Sequence, residues 1–158
     1  MSIAHQHAID GHDERRTAMA VLAQAQADEI ATGLERVGDD FKFTELRPAE
    51  IGLVMLRGRI GGDGAPFNAG EATVTRAAVQ IASGEKGFAY VLGRDVKKAR
   101  LAALCDALWQ TTTHRQSIEQ HILEPLRAAQ QQRRTRKRAQ TAATRVDFFT
   151  LVRGEDDR

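Results

Sequence analysis

Two sets of residues in this 158-residue chain have types and spacing suited to binding an anion. The first is Gly61-Gly62-Asp63-Gly64, which opens a run of ten residues (61–70) holding four glycines and a proline. Glycine lets backbone N–H groups approach an anion closely, so such a loop can cradle phosphate. It lacks the lysine and Ser/Thr of a P-loop and the G-x-G-x-x-G spacing of a dinucleotide fingerprint. A tight connection between two strands, or a loop fitted against a partner's backbone, uses the same residues. The second set is Arg57, Arg59 and Arg76. Arg57 and Arg59 stand two apart, on one face of a strand, and Arg76 lies on the strand that returns beside it. The trio can clamp phosphate bidentately, or it can pair with Glu71, Asp63 or a partner's carboxylates.

The remaining reactive side chains assemble into no hydrolytic constellation. His5, His7 and His12 fall in a polar start that reads as a disordered tail over residues 1–12. His114 and His121 are seven apart, with no carboxylate pair at ligand spacing, so no metal site is expected. Cys105 sits between Leu104 and Leu108 on an apolar helix side and reads as a buried, inert thiol. As the single cysteine it also excludes an intrachain disulfide and an all-cysteine metal site within one chain. Asp95, after Gly93-Arg94, fits a helix cap better than a general base. No catalytic residue is assigned from the sequence.

Charge is unevenly laid out. The net +2 divides into −5 over residues 1–50, +4 over 51–100 and +3 over 101–158. Arg127, Arg133, Arg134, Arg136, Lys137, Arg138 and Arg145 follow one another with no acid between them. A nucleic acid would suit such a run, as would a docking role or a solvated helix face. No aromatic residue is interleaved, so the stacking platform of a single-strand binder is missing. No stretch approaches the roughly 18 uncharged apolar residues of a membrane span. The first residues lack the basic start and apolar run of an export signal, which points to the cytoplasm.

These residues need elements to position them. Residues 13–37 have helical spacing (Met19, Leu22, Ile30, Leu34, Val37), with Asp13 as N-cap and Gly38-Asp39-Asp40 as the stop. A short strand over 41–46 turns Phe41, Phe43 and Glu45 one way and Lys42, Thr44 and Leu46 the other, before a break at Arg47-Pro48. Residues 51–60 are apolar on both faces at Leu53, Val54, Met55 and Leu56, the signature of a central strand. After the glycine loop, 71–82 reads as a strand, although its alanines also suit a helix. A turn over 83–87 leads to a strand over 88–92, which completes an antiparallel meander. Asp95 then caps a helix reaching about Gln110, with Val96, Ala99, Leu101, Ala103, Leu104, Ala107 and Leu108 as its apolar face. A further helix starts near Thr113, and Pro125 either kinks it or begins another. Residues 130–140 suit an exposed helix or a linker. Val146-Asp147-Phe148-Phe149-Thr150-Leu151-Val152 reads as a closing strand anchored by Phe148 and Phe149. The expected class is α+β, a single domain over 13–155: N-terminal helix, β-meander, two or more C-terminal helices, closing strand.

Several stretches of the chain resemble one known family. They are Gly52-Leu53-Val54, Arg59-Ile60-Gly61-Gly62-Asp63-Gly64, and Phe67-Asn68-Ala69-Gly70-Glu71-Ala72-Thr73-Val74-Thr75-Arg76. To these add Gly87-Phe88-Ala89-Tyr90-Val91-Leu92-Gly93-Arg94-Asp95, Asp106-Ala107-Leu108 and the close Arg145-Val146-Asp147-Phe148-Phe149-Thr150-Leu151-Val152-Arg153-Gly154. The family is that of the G subunit (PhnG) of the bacterial carbon–phosphorus lyase system, and the resemblance spans about residues 15–155. Ala18 stands where the family has a tryptophan, residues 130–140 do not match closely, and Cys105 is outside the pattern.

The resemblance implies a non-catalytic subunit of a multi-subunit transferase with subunits H, I, J and L, the I subunit being the direct contact. With H, I and L, the G subunit supports attack of a phosphonate on ribose C1 of MgATP. Adenine leaves and α-D-ribose 1-phosphonate 5-triphosphate forms. The iron–sulfur cluster and S-adenosylmethionine of the later cleavage belong to J, and no cofactor is expected on this chain. Arg59, Gly61, Gly62, Gly64, Phe67, Glu71, Thr73 and Arg76 are then the expected interface or substrate-supporting residues. The alternatives are an independent phosphate- or nucleotide-binding protein and, third, a basic nucleic-acid binder.

Overall fold

The computed structural model describes residues 3–38, 40–61 and 63–144. In chain order the elements are helices α1 (Ile3–Gln24) and α2 (Ala27–Val37), strands β1 (Phe43–Gly58), β2 (Phe67–Ile81) and β3 (Lys86–Leu92), and helix α3 (Val96–Trp109). A short helix α4 (Arg115–Ile118), a π-helical turn (Glu119–Leu123) and helix α5 (Glu124–Ala143) follow. The strands form an antiparallel meander in sequence order, with β2 central. The α+β class expected from the sequence is the one observed. The closing strand over 146–152, with Phe148 and Phe149, lies outside the described residues.

Helix α3 is the backing of the sheet. Its alanines Ala99, Ala102, Ala103 and Ala107 are fully buried, and such small side chains let its backbone settle close to β3. Gly87 completes that approach: a Cβ there would lie 1.9 Å from the Ala103 carbonyl oxygen. Asp95 caps the helix as expected, its Oδ1 accepting the Lys98 N–H at 2.8 Å. Val96, expected on the apolar face, is instead exposed at the helix start. Alternate residues of β2 and β3 (Ala77, Val79, Ile81, Ala89, Val91) face α3 and join Leu22, Ile30, Leu108, Ile118, Ile122 and Leu123 in one core. Ala18 is buried on α1 within this core. Cys105 is fully buried, and burial together with the neighbouring Asp106 charge raises its thiol pKa, as an inert cysteine requires.

Side chains cover the first half of the open edge of β3. Asp106, only 2% exposed, accepts the Phe88 N–H at 2.8 Å and both arms of Arg15, Nε to Oδ1 at 2.8 Å and Nη2 to Oδ2 at 2.7 Å. One carboxylate therefore ties α1, α3 and β3 together. Gln110 Nε2 donates to the Lys86 carbonyl at 2.8 Å on the same strand.

Several boundaries differ from expectation. The helix expected over 13–37 is two, broken at Ala25-Gln26, where the Gln26 N–H donates to Glu29 Oε2 at 2.9 Å. The backbone is helical back to Ile3, so Asp13 is interior: its carbonyl accepts from Thr17 and its carboxylate pairs with Arg16. Arg47-Pro48 does not end a strand. β1 runs through it, with register shifts between Glu45 and Arg47 and between Arg47 and Glu50, because a bulge accommodates the missing proline N–H. β1 is also an edge strand, not the central one. The glycine-rich connection is shorter than residues 61–70, since β2 already begins at Phe67, and 71–82 is strand rather than helix. Pro125 opens α5 directly after the π turn. In a regular helix its ring would meet the His121 carbonyl, and the wider turn relieves that contact. Residues 130–140 are helix, not linker.

Candidate partner-binding ribbon

β3 pairs with β2 only from Gln80 to Val74, and the Gly93 N–H closes that edge on the Thr73 carbonyl at 2.9 Å. Beyond this point β1 and β2 pair only with each other, from Leu53 opposite Thr73 to Gly58 opposite Phe67. At about 3.3 Å per residue, the six residues 53–58 form a two-stranded ribbon of roughly 20 Å. Its sequence is apolar on both faces. Ile51, Leu53 and Met55 lie on the face that β2 presents to the helices, but past the helices' reach, and are 50%, 63% and 52% exposed. Leu56 is exposed on the opposite face, which continues over β3 through Phe88, Tyr90 and Leu92. A two-stranded ribbon is at best marginal in water, and a contiguous apolar surface of this kind marks a contact site.

The ribbon carries most of the residues singled out in the sequence. Gly61 adopts φ +67°, and a Cβ on Gly64 would lie 2.5 Å from the Ile60 carbonyl oxygen. The Gly64 N–H donates to that oxygen at 3.2 Å, and Arg59 Nη1 donates to the Gly64 carbonyl at 3.1 Å. The glycines thus build a tight tip that Arg59 ties down. Phe67 packs over Gly58, Glu71 stands exposed opposite Met55, and Thr73 is half-buried opposite Leu53. Gly62 lies outside the described residues.

Arg76 is separate from this group. It lies opposite Glu50 at the ribbon's base, its Nε donating to Glu50 Oε1 at 2.7 Å, while Arg47 reaches the same oxygen at 3.4 Å. Glu50, the main cause, keeps the Arg76 guanidinium pKa above its ordinary value. Arg57 is seven residues further along β1, roughly 23 Å by strand rise, and Arg59 is beyond it. The arginine trio therefore forms no phosphate clamp. Arg76 takes the ion-pair role, with Glu50 rather than Glu71 or Asp63 as partner.

Among the described residues, no three His, Cys, Asp or Glu side chains converge as a metal site. His114 packs edge-on to Phe41, their ring centres 5.5 Å apart. No described helix is long and apolar enough to cross a membrane.

Sequence reasoning missed two polar clusters. The first is Arg15–Asp106–Phe88, whose signal was a lone acid inside Leu104-Cys105-Asp106-Ala107-Leu108. The second joins Trp109 Nε1, donating to Glu119 Oε1 at 2.8 Å, with Arg127, donating to Glu119 Oε2 at 2.8 Å. Arg115 lies 4.1 Å over the Trp109 ring. Burial alone would raise the Glu119 pKa, but the hydrogen bonds from Arg127 and Trp109 outweigh it and hold the carboxyl below its ordinary value.

Residues 13–154 match the family described as phosphonate metabolism protein PhnG. The chain is also 48% identical over 146 residues to the alpha-D-ribose 1-methylphosphonate 5-triphosphate synthase subunit PhnG of Rhizobium meliloti (strain 1021), covering 92% of this chain and 93% of that one. On both grounds, this chain belongs to the PhnG family.

Proposed function

We propose that this chain is the accessory G subunit of an α-D-ribose 1-methylphosphonate 5-triphosphate synthase, working in the cytoplasm in the breakdown of organic phosphonates. Its contribution is to dock on a larger companion of the I type and shape that companion's active site, within an assembly that also holds H, J and L subunits. In the assembly's reaction a phosphonate oxygen attacks ribose C1 of MgATP, the C1–N9 bond breaks and adenine leaves. The companion carries that chemistry, and this chain binds no cofactor of its own.

The observation that carries the reading is the ribbon. Exposed apolar residues on both its faces lie beside the signature residues Arg59, Gly61, Gly64, Phe67, Glu71 and Thr73, with Arg76 at the base. Fully burying an exposed side chain of this kind contributes about 1.5–3 kcal/mol and a half-exposed one roughly half of that, so these residues would supply part of an interface's stabilisation. Co-purification of the tagged full chain with candidate companions tests this. The expected result is a stable complex with an I-type subunit and adenine release only in its presence. Adenine release from ATP by the chain alone would refute it.

A further inference from the structure

Four stretches of open edge border the described sheet, and three are obstructed or cut short. On β3, Asp106 and Gln110 hold the Phe88 N–H and the Lys86 carbonyl, and only Tyr90 to Leu92 follow before the strand ends. On β2 beyond β3, Ala69 is bulged out between the pairs Leu56–Gly70 and Arg57–Asn68. Gly70 follows at φ +151°, and then the exposed carboxylate of Glu71. The first half of β1 is bulged on either side of Arg47 and carries Pro48. The fourth stretch is different. From Ile51 to Leu56, β1 pairs residue for residue with β2 and holds no charge and no proline. It is an edge strand, and none of the described backbone hydrogen bonds closes its outer side there. Strand geometry turns the N–H and C=O of alternate residues outward, so about three of these six residues present both groups to that side.

This edge limits what can cover the ribbon. On the accessory-subunit reading a companion encloses both apolar faces, and enclosure takes the outward N–H and C=O groups out of water. Each one left without a partner then costs free energy comparable to a lost hydrogen bond. The faces alone are also small. Each is in outline about 10 Å by 20 Å, so both together reach roughly half of the about 800 Å² that a standard interface takes from one partner. An extended strand alongside β1 pairs the backbone groups and prolongs both faces with its own alternating side chains. A helix laid on one face would meet neither the other face nor the edge. A second copy of this chain would bring a ribbon bare on the same two faces.

We propose that the companion subunit donates one β-strand to the outer edge of β1 over Ile51–Leu56. The inference rests on the accessory-subunit reading and adds the chemistry of the contact. The donated segment is about six residues long and apolar on both faces. Opposite Gly52, where a Cβ would meet nothing within 4 Å, it carries a bulky side chain that fills the gap. At the tip end it carries a carboxylate. Arg57 belongs to no described ion pair, and Arg59 is held only by the Gly64 carbonyl, whereas Glu50 at the other end is already taken by Arg76 and Arg47.

The test uses the full chain with the companion that wild type retains. Amide exchange followed by NMR should slow at least a hundredfold in the complex at those alternate positions between Ile51 and Leu56 that exchange fast in the free chain. Because N–H direction alternates, one of Leu53→Pro and Val54→Pro removes a bond to β2 and the other only an outward N–H. The variant that keeps the wild-type melting curve should bind the companion at least tenfold more weakly. With Cys105 buried, Ile51→Cys and Met55→Cys each place one accessible thiol for a short photo-crosslinker. Their crosslinks should fall about four residues apart on one companion segment if it is a strand, and about nine apart if it is a helix. If the wild-type complex forms but the fast amides stay fast, or the crosslinks show helical spacing or land on another copy of this chain, the proposal is overturned while the accessory role stands. If wild type retains no companion, both fall.

Discussion

The two halves of the β1–β2 hairpin are built to opposite plans. In residues 43–50 the core-side positions Phe43 and Glu45 are half-buried, and Pro48 and two bulges blunt the free edge. In residues 51–56 there is no charge, no proline and no bulge, and the apolar side chains face outward on both sides. The first half is finished by its own chain. The second has the composition of an interior strand without an interior around it, which is why the proposed role places a companion there.

Substitutions can break this contrast in either half. Gly87→Ala should cost the most, about 3 kcal/mol or more in urea denaturation, because the added Cβ drives α3 off the sheet. Next is the double variant Leu53→Lys with Met55→Lys. It should leave denaturation within about 0.5 kcal/mol, as expected of exposed sites, yet weaken companion binding by about a hundredfold in titration. Equal losses in both measurements would erase the distinction between the halves. Asp106→Ala should cost about 2 kcal/mol, leaving Arg15 and the Phe88 N–H without their acceptor, and should not alter companion binding by a correctly folded fraction. The smallest effect is in pH dependence. Glu119 has a lowered pKa in the folded chain, so its contribution is present above the unfolded carboxylate pKa and fades as pH falls through the folded value. Melting temperatures below about pH 4.3 should therefore drop less steeply in Glu119→Gln than in wild type.

Much of the fold was legible in the residues. The meander order, the Asp95 cap, the inert Cys105 and the glycine tip all follow from local chemistry, which neighbours in sequence decide. The place of β1 in the sheet did not follow. Leu53-Val54-Met55-Leu56 is apolar on both faces, and that pattern is the same for a central strand and for a projecting ribbon, so sequence alone does not separate them. The arginine trio failed for a related reason. Strand periodicity put Arg57 and Arg59 on one side, but only the register, which pairs Arg57 with Asn68 and Glu50 with Arg76, told how far Arg76 stands from them. For the site itself, the clustering of the signature residues on one projection is visible only once the hairpin's length beyond β3 is known.

The carboxylate of Asp106 and the amide of Gln110 also decide how this sheet can grow. They cover the Phe88 N–H and the Lys86 carbonyl, so a strand arriving from outside would have to displace both before pairing with that half of β3. Two side chains at the end of the helix that backs the sheet thus make its rim a poor template for a stray chain.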